Sequence, residues 1–428
     1  MPRDFRTSVA MQMDTENIVN FERNACASKC QCPQTDIERP RVLHIVENLD
    51  RGAVENWLVR TFVESRREFP SVDWTFYCVL GRPGRLDDLV LEHGGKIIYS
   101  PVELSQKMAF LRNLRKTLRQ GAYDILHCHH DFMSGLYLLA AWGLPIKKRL
   151  VHIHNTDEAI PTPSVLKRRL ALEPLRQCCL HLADGIVGIS GHVLEQFMRG
   201  RQRGPSRDQL LYYGVDPEPF RNYQPQRDAM RVELGLPSDA TVLLFVGRMN
   251  PQKNPTFVVE MLASILPHVP SAYAVFVGSG DLSDLLELEA QSLGVKDRIR
   301  MLGWRDDTAE LMANSDLFVF PRVEHPKEGL GLVVVEAQAA GLPMLLSPGI
   351  PEDAIVVPEL FHTLPLRIGP GKWAEKAADI LSQERIKQTR ALERVAESRF
   401  SMTRSVHDLM QLYNFSDIPD PIISEMVA

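Results

Sequence analysis

Two glutamates flank a glycine-rich start in the run Glu328-Gly329-Leu330-Gly331-Leu332-Val333-Val334-Val335-Glu336. The run follows the strand-like segment Asp316 to Pro321 and opens a helical pattern that continues to Ala340, so free backbone N–H groups stand ready for an anion. Acids beside an anion site need other partners. The reading gives a phosphate to the N–H groups, sugar hydroxyls to Glu328, and ribose hydroxyls to Glu336, about two helical turns on. An amphipathic helix with a glycine-loosened start and two solvated acids fits the same residues, since strand-glycine-helix junctions are common.

A second constellation lies in the loop Gly247-Arg248-Met249-Asn250-Pro251-Gln252-Lys253-Asn254, after another apolar run. Two cations in one strand-to-helix loop can grip a diphosphate and stabilise the charge that grows on it as a leaving group. Gly278-Ser279-Gly280 suggests a dinucleotide loop, but Ser283 stands where the third glycine belongs, so no such cofactor is expected. The chain contains no Asp-x-Asp pair, which favours the Arg248 and Lys253 clamp over a metal.

The first half carries His127-Cys128-His129-His130 and His152-Ile153-His154, each at a strand end. Strand alternation puts His127 with His129, and His152 with His154, on one face. Such pairs could hold a metal and suggest a hydrolase, with Asp131 and Asp157 as the nearby carboxylates. The preferred expectation is that His127 and His152 bond to backbone, while His129 and His154 face a ligand and no metal is held. Gly52, in Asn48-Leu49-Asp50-Arg51-Gly52, allows a close approach of backbone to ligand.

The elements that position these residues follow a repeated pattern of apolar run, turn and helix. Strands are expected at Val42–Val46, Trp74–Leu80, Lys96–Tyr99, Ile125–His127, Leu150–His154 and Gly185–Ile189. A second series is expected at Val242–Val246, Tyr273–Val277, Arg298–Leu302, Leu317–Phe320 and Pro343–Leu346, with Lys372 to Tyr413 helical throughout. The fold class is therefore α/β: two doubly wound Rossmann-like domains facing a cleft, with ligands at the carboxyl ends of the strands. The expected layout is a leader without a fold over 1–39, an acceptor domain over 40–220, a donor domain over 221–395, and a helical segment over 396–428 packing back on the first domain. The polar stretch Arg221 to Asp228 reads as the linker.

At 428 residues the chain can build two or three cores, and its net charge of −5 argues against a nucleic-acid partner. No run is long enough to span a bilayer and no signal-peptide pattern opens the chain, so a cytoplasmic protein is expected. Seven unevenly spread cysteines read as a reduced set; Cys26, Cys30 and Cys32 have spacing that could suit zinc. Lys107 to Arg119 alternates Lys107, Arg112, Arg115, Lys116 and Arg119 with Met108, Leu111, Leu114 and Leu118, a basic amphipathic helix. With Lys147-Lys148-Arg149 and Lys167-Arg168-Arg169 it could also rest on anionic lipid at the inner face of a membrane.

Taken together these residues resemble glycosyltransferase family 4, retaining enzymes of the GT-B fold, particularly the exopolysaccharide type. The resemblance covers roughly 41 to 415 and is strongest over Leu302 to Pro351, through Leu302-Gly303-Trp304, Glu310-Leu311-Met312, Phe320-Pro321, the glutamate run and Glu336-Ala337-Gln338-Ala339-Ala340-Gly341-Leu342-Pro343. It implies that Glu328 contacts the donor sugar, Glu336 the ribose, and Arg248 with Lys253 the diphosphate. It also implies that Gly329, Leu330, Gly331 and Leu332 complete the phosphate site, Gly303 and Trp304 lie near the base, and His129 approaches the sugar from the acceptor side, with His154 beside it. The implied reaction moves sugar from a nucleotide-sugar, a UDP-sugar for choice, to a hydroxyl of a glycan or lipid-linked glycan, with retention and without a cofactor. A nucleotide-sugar epimerase of the same fold or a non-catalytic binding protein are the alternatives. Three positions depart from the family pattern: Arg51-Gly52 replaces paired glycines, Tyr213-Gly214 replaces Asn-Gly, and Glu324-His325-Pro326-Lys327 lengthens the approach to Glu328.

Overall fold

Thirteen parallel strands in two sheets carry the candidate residues among the described residues of a computed structural model, 39–50, 52–156, 164–221 and 226–414. The first sheet contains β1 (Arg41–Val46), β2 (Asp73–Cys78), β3 (Lys96–Tyr99), β4 (Ile125–Cys128), β5 (Lys148–Ile153), β6 (Gly185–Gly188) and β7 (Asp208–Leu210), in spatial order β3-β2-β1-β4-β5-β6-β7. The second contains β8 (Thr241–Val246), β9 (Ala272–Val277), β10 (Ile299–Met301), β11 (Leu317–Phe320), β12 (Met344–Leu346) and β13 (Phe361–Thr363), in order β10-β9-β8-β11-β12-β13. Val42-Leu43, Val242 to Phe245 and Leu317 to Phe320 are wholly buried, as parallel strands covered by helices on both faces must be. In both sheets the order reverses beside the first strand of the series, between β1 and β4 and between β8 and β11, which is where open α/β sheets bind ligands.

Three expectations change. The edge strands β7 and β13 are absent from the sequence reading because each has only three residues and β7 begins with the polar pair Asp208-Gln209. The stretch from Lys372 to Tyr413 is three helices, Pro370–Ser382, Gln388–Ala396 and Met402–Tyr413. The last break is fixed by Ser401, which pairs with Val215 of the first half and accepts the Arg404 N–H as an N-cap. In the basic helix Lys107–Gly121 the buried stripe is Phe110, Leu114 and Leu118, while Met108 is 64% exposed. Leu111, Leu114 and Leu118 share the packed face, joined by Phe110 four residues before Leu114, and Met108 lies off it.

The helix Met402–Tyr413 lies against Ala53–Glu68 of the first lobe, where Trp57 Nε1 donates to Ser405 Oγ at 2.9 Å. Cys78, Cys128, Cys178 and Cys179 are free thiols. The leader expected over 1–39, up to residue 38 and with Cys26, Cys30 and Cys32, lies outside the described residues, as do Arg51, Asp157 and the side chains of Lys167 and Arg168.

Candidate active site

Glu328 is held by two cations. Lys253 Nζ lies 2.5 Å and Arg322 Nε 2.9 Å from the same oxygen, Oε2, and Oε1 takes no partner among the described residues. Burial pushes the Glu328 carboxyl up, but Lys253 and Arg322 together outweigh it and hold the group below its ordinary range. Lys253 comes from the loop after β8, with its Nζ 5.1 Å from the centre of the Phe320 ring at the end of β11. The loops after the neighbouring strands β8 and β11 thus meet in one charged group. Arg322 is the residue that sequence reasoning missed. It is 3% exposed and donates through Nη1 to the carbonyls of Val323, Pro326 and Gly349, so it shapes the lengthened loop that delivers Glu328. A cation two residues past the β11 terminus was the available signal.

Gly331 caps the helix Leu332–Ala339 with φ +81°, a left-handed conformation that glycine adopts without strain. Gly329 makes the close contact between lobes: a Cβ there would stand 2.6 Å from the His154 carbonyl oxygen, and its own carbonyl accepts from Ser190 Oγ at 2.6 Å. Asp353 adds a second bridge, accepting from Gly191 N–H and from Tyr212 O–H, each at 3.0 Å. Leu330 is buried and Leu332 half-buried. Glu336 is pushed up by burial, opposed by Arg60 on the facing first-lobe helix. Gly303 follows β10 with φ +63° and its carbonyl accepts from Gly278 N–H at 2.7 Å; the adjacent Trp304 is 49% exposed.

Arg248 is exposed at the mouth of its loop and opposite Glu55, whose charge interacts with it across the cleft. Gly52 is the N-cap of the helix carrying Glu55, and a Cβ on it would meet Glu55 Oε2 at 2.0 Å. The first-lobe helix start thus has the chain's own carboxylate resting on it. Burial raises the Glu55 pKa to about 7, with Glu47 and Asp50 adding to the rise against its own backbone N–H and Arg248. Because folding raises this pKa, its contribution to stability is complete below the ordinary carboxyl range and is lost as pH rises to about 7. Glu55→Gln is expected to stabilise the fold by about 1–2 kcal/mol at pH 8 and to change little at pH 4, read by chemical unfolding at both pH values. Arg248→Ala is expected to weaken nucleoside-diphosphate binding roughly ten- to a hundredfold, with transfer falling in parallel, read by calorimetry and a transfer assay.

The histidines form one buried group. His127 and His129 have ring centroids 4.1 Å apart, and His152 and His154 4.4 Å apart, so each pair shares a face as strand alternation requires. His127 and His152 do not bond to backbone among the described residues: His127 Nδ1 lies 3.0 Å from Tyr413 Oη, and neither ring nitrogen of His152 has a partner there. Their rings project from the sheet face, out of reach of strand carbonyls already used in the ladder. His129 is 6% and His154 3% exposed. His129 Nδ1 lies 3.3 Å from His154 Nε2, and His154 Nδ1 pairs with the Tyr213 hydroxyl. Burial lowers the pKa of all four, to about 3 for His129, so they stay neutral at pH 7. Asp131 is no ligand to this group; its carboxylate accepts from His154 N–H at 2.6 Å and from Asn155 N–H and Nδ2.

Comparison with known proteins follows the same two lobes. Residues 226–417 match the family Glycosyl transferases group 1, and residues 60–219 match Glycosyltransferase Family 4. The chain is 29% identical to the EpsF protein of Bacillus subtilis (strain 168) over 89% of its own length and 98% of that protein's. It is 31% identical to the UDP-Gal:alpha-D-GlcNAc-diphosphoundecaprenol alpha-1,3-galactosyltransferase of Escherichia coli, over 61% of this chain and 67% of that one. The solved structure of Anabaena Alr3699/HepE in complex with UDP-glucose shares the fold, with a TM-score of 0.68, 18% identity, and coverage of 87% of this chain and 98% of that one. Two parallel sheets, a charged loop pair at adjoining strand ends and sequence kinship over both lobes agree: the chain is a glycosyltransferase of the GT-B fold and belongs to glycosyltransferase family 4.

Proposed function

We propose that the protein transfers a sugar, with retention of configuration, from a nucleotide-diphosphate sugar to a hydroxyl of a lipid-linked or polysaccharide acceptor. The observation that carries this reading is the Lys253–Glu328–Arg322 group, which sets a cation and a carboxylate side by side at the joined ends of β8 and β11. Lys253 and Arg248 would take the diphosphate, drawing Lys253 from Glu328 and offering Glu328 to the sugar hydroxyls. Glu336 takes the ribose, Trp304 with Gly303 the base, and His129 with His154 form the first-lobe floor under the sugar. The departing phosphate oxygen accepts the proton of the incoming hydroxyl as the old C–O bond breaks and the new one forms on the same face. No protein nucleophile and no metal takes part in this step. UDP is the proposed nucleotide, supported by relatives whose names specify UDP-sugars or UDP.

Product analysis with labelled UDP-sugars, with and without an undecaprenyl-diphosphate-linked acceptor, tests the reading. Acceptor-dependent transfer to an axial product supports it; epimerised sugar nucleotide without acceptor favours the epimerase.

The acceptor class agrees with one surface feature. Met108, 64% exposed, and Trp142, 70% exposed, accompany exposed Arg112 and Lys116, and Arg115 Nη1 ties the helix to the carbonyls of Ala140 and Trp142 at 2.8 and 2.7 Å. No described helix is long and apolar enough to cross a membrane. Co-sedimentation with phosphatidylglycerol vesicles is expected, weakening with salt and with Trp142→Ala, and absent on neutral phosphatidylcholine.

A further inference from the structure

The first lobe contains a side-chain cluster of which the transfer reaction, on the reading proposed above, uses His129 alone. His44 on β1 and His127 on β4 are register partners on adjacent strands, and His129 follows just past the end of β4. One ring nitrogen from each lies within 4.8 Å of those of the other two. His44 and His127 have no exposed surface. His44 Nδ1 is 3.0 Å from His129 Nε2, close to the separation of about 3.3 Å between two nitrogens bound to one tetrahedral zinc. His127 Nε2 is buried with no partner among the described residues, an arrangement that native interiors rarely keep.

The hydroxyl of Tyr413 sits behind two of these rings, 3.0 Å from His127 Nδ1 and 3.3 Å from His44 Nε2. Its oxygen has two lone pairs and can accept an N–H from each ring. That choice of tautomer leaves His127 Nε2 and His44 Nδ1 as lone pairs on the opposite edges, as in sites where an outer partner orients a metal-bound histidine. His129 can then carry its hydrogen on Nδ1, facing His154 Nε2, and keep Nε2 as the third lone pair.

We propose that His44, His127 and His129 bind one divalent d-block cation of the zinc, nickel or cobalt class, with Tyr413 as the outer partner that fixes the ligand tautomers. Imidazole nitrogens without a carboxylate suit these ions and not magnesium or calcium. The ion pins the helix Met402–Tyr413 to β1 and β4. A neighbouring group, His129, His152 and His154, has similar spacing. It fits less well: His152 has two unpartnered nitrogens and an ion can satisfy only one, whereas an ion in the first group leaves none of its three rings unpartnered.

The test uses the full chain with Cys26, Cys30 and Cys32 replaced by serine, stripped with chelator and titrated with Co2+ alone. The expected result is one equivalent of Co2+ with ligand-field absorption bands, displaced by Zn2+. His127→Gln should abolish it, Tyr413→Phe should weaken it about 10- to 100-fold, and His152→Ala should leave it within about threefold. Circular dichroism verifies that each variant folds, and Tyr413→Phe decides if His127→Gln does not. Absence of Co2+ binding, affinity unchanged by Tyr413→Phe, or loss with His152→Ala comparable to that with His127→Gln would overturn the assignment. None of these readouts depends on transferase activity, so failure here leaves the reading of the cleft intact.

Discussion

Glu328→Gln is expected to lower the transfer rate by about 10²–10³-fold while the Kd for UDP stays the same or tightens by up to about tenfold. The split follows from the two roles of the carboxylate. Towards the sugar, Oε1 is the acceptor that takes no partner among the described residues. Towards the protein, Oε2 neutralises Lys253 and Arg322, so removing the charge frees both cations to pull on a diphosphate. A wild-type rate, or a loss of UDP affinity as large as the loss of rate, contradicts the assignment. Glutamine is preferable to alanine because it fills the same volume between two cations, one of them the 3%-exposed Arg322.

Asp316→Ala is expected to destabilise the second lobe by about 3–5 kcal/mol, visible as a lower midpoint of chemical unfolding. Asp316 begins the approach to β11, the strand that leads to Arg322 and Glu328. Its carboxylate accepts from Val242 N–H at 2.8 Å and pairs with Arg231 at 2.9 Å, Arg385 at 3.1 Å and Arg227. Arg231 is 2% exposed, so without Asp316 a buried guanidinium loses its counter-charge. Arg385→Ala, at a side chain 32% exposed, should cost much less. Equal effects from the two substitutions would show that burial of Arg231 is not what makes the group matter.

The main architecture was legible because apolar runs such as Val242 to Val246 are unbroken and bounded by loops, while the glutamate run carries a distinctive glycine pattern. Sheet edges were not, since a strand like Asp208–Leu210 gains its identity from pairing with β6 rather than from its own residues. At the site, Glu328, Lys253 and Arg248 could be named from loop position alone. Their mutual arrangement could not: that Lys253 and Arg322 share one oxygen of Glu328 depends on the loops after β8 and β11 converging through the sheet. His44 was hidden for a related reason. In Val-Leu-His-Ile-Val it looks like one polar residue in a buried strand, and only the β1–β4 register sets it beside His127.

A nucleoside diphosphate is proposed to bind where Lys253, Arg248 and the Glu328 loop meet. Titration calorimetry of the protein with UDP, repeated with excess chelator and with the Lys253→Ala variant, tests it most directly. The expected result is UDP binding that survives the chelator and weakens at least about tenfold in Lys253→Ala. Binding that vanishes with the chelator, or that is untouched by Lys253→Ala, would contradict it.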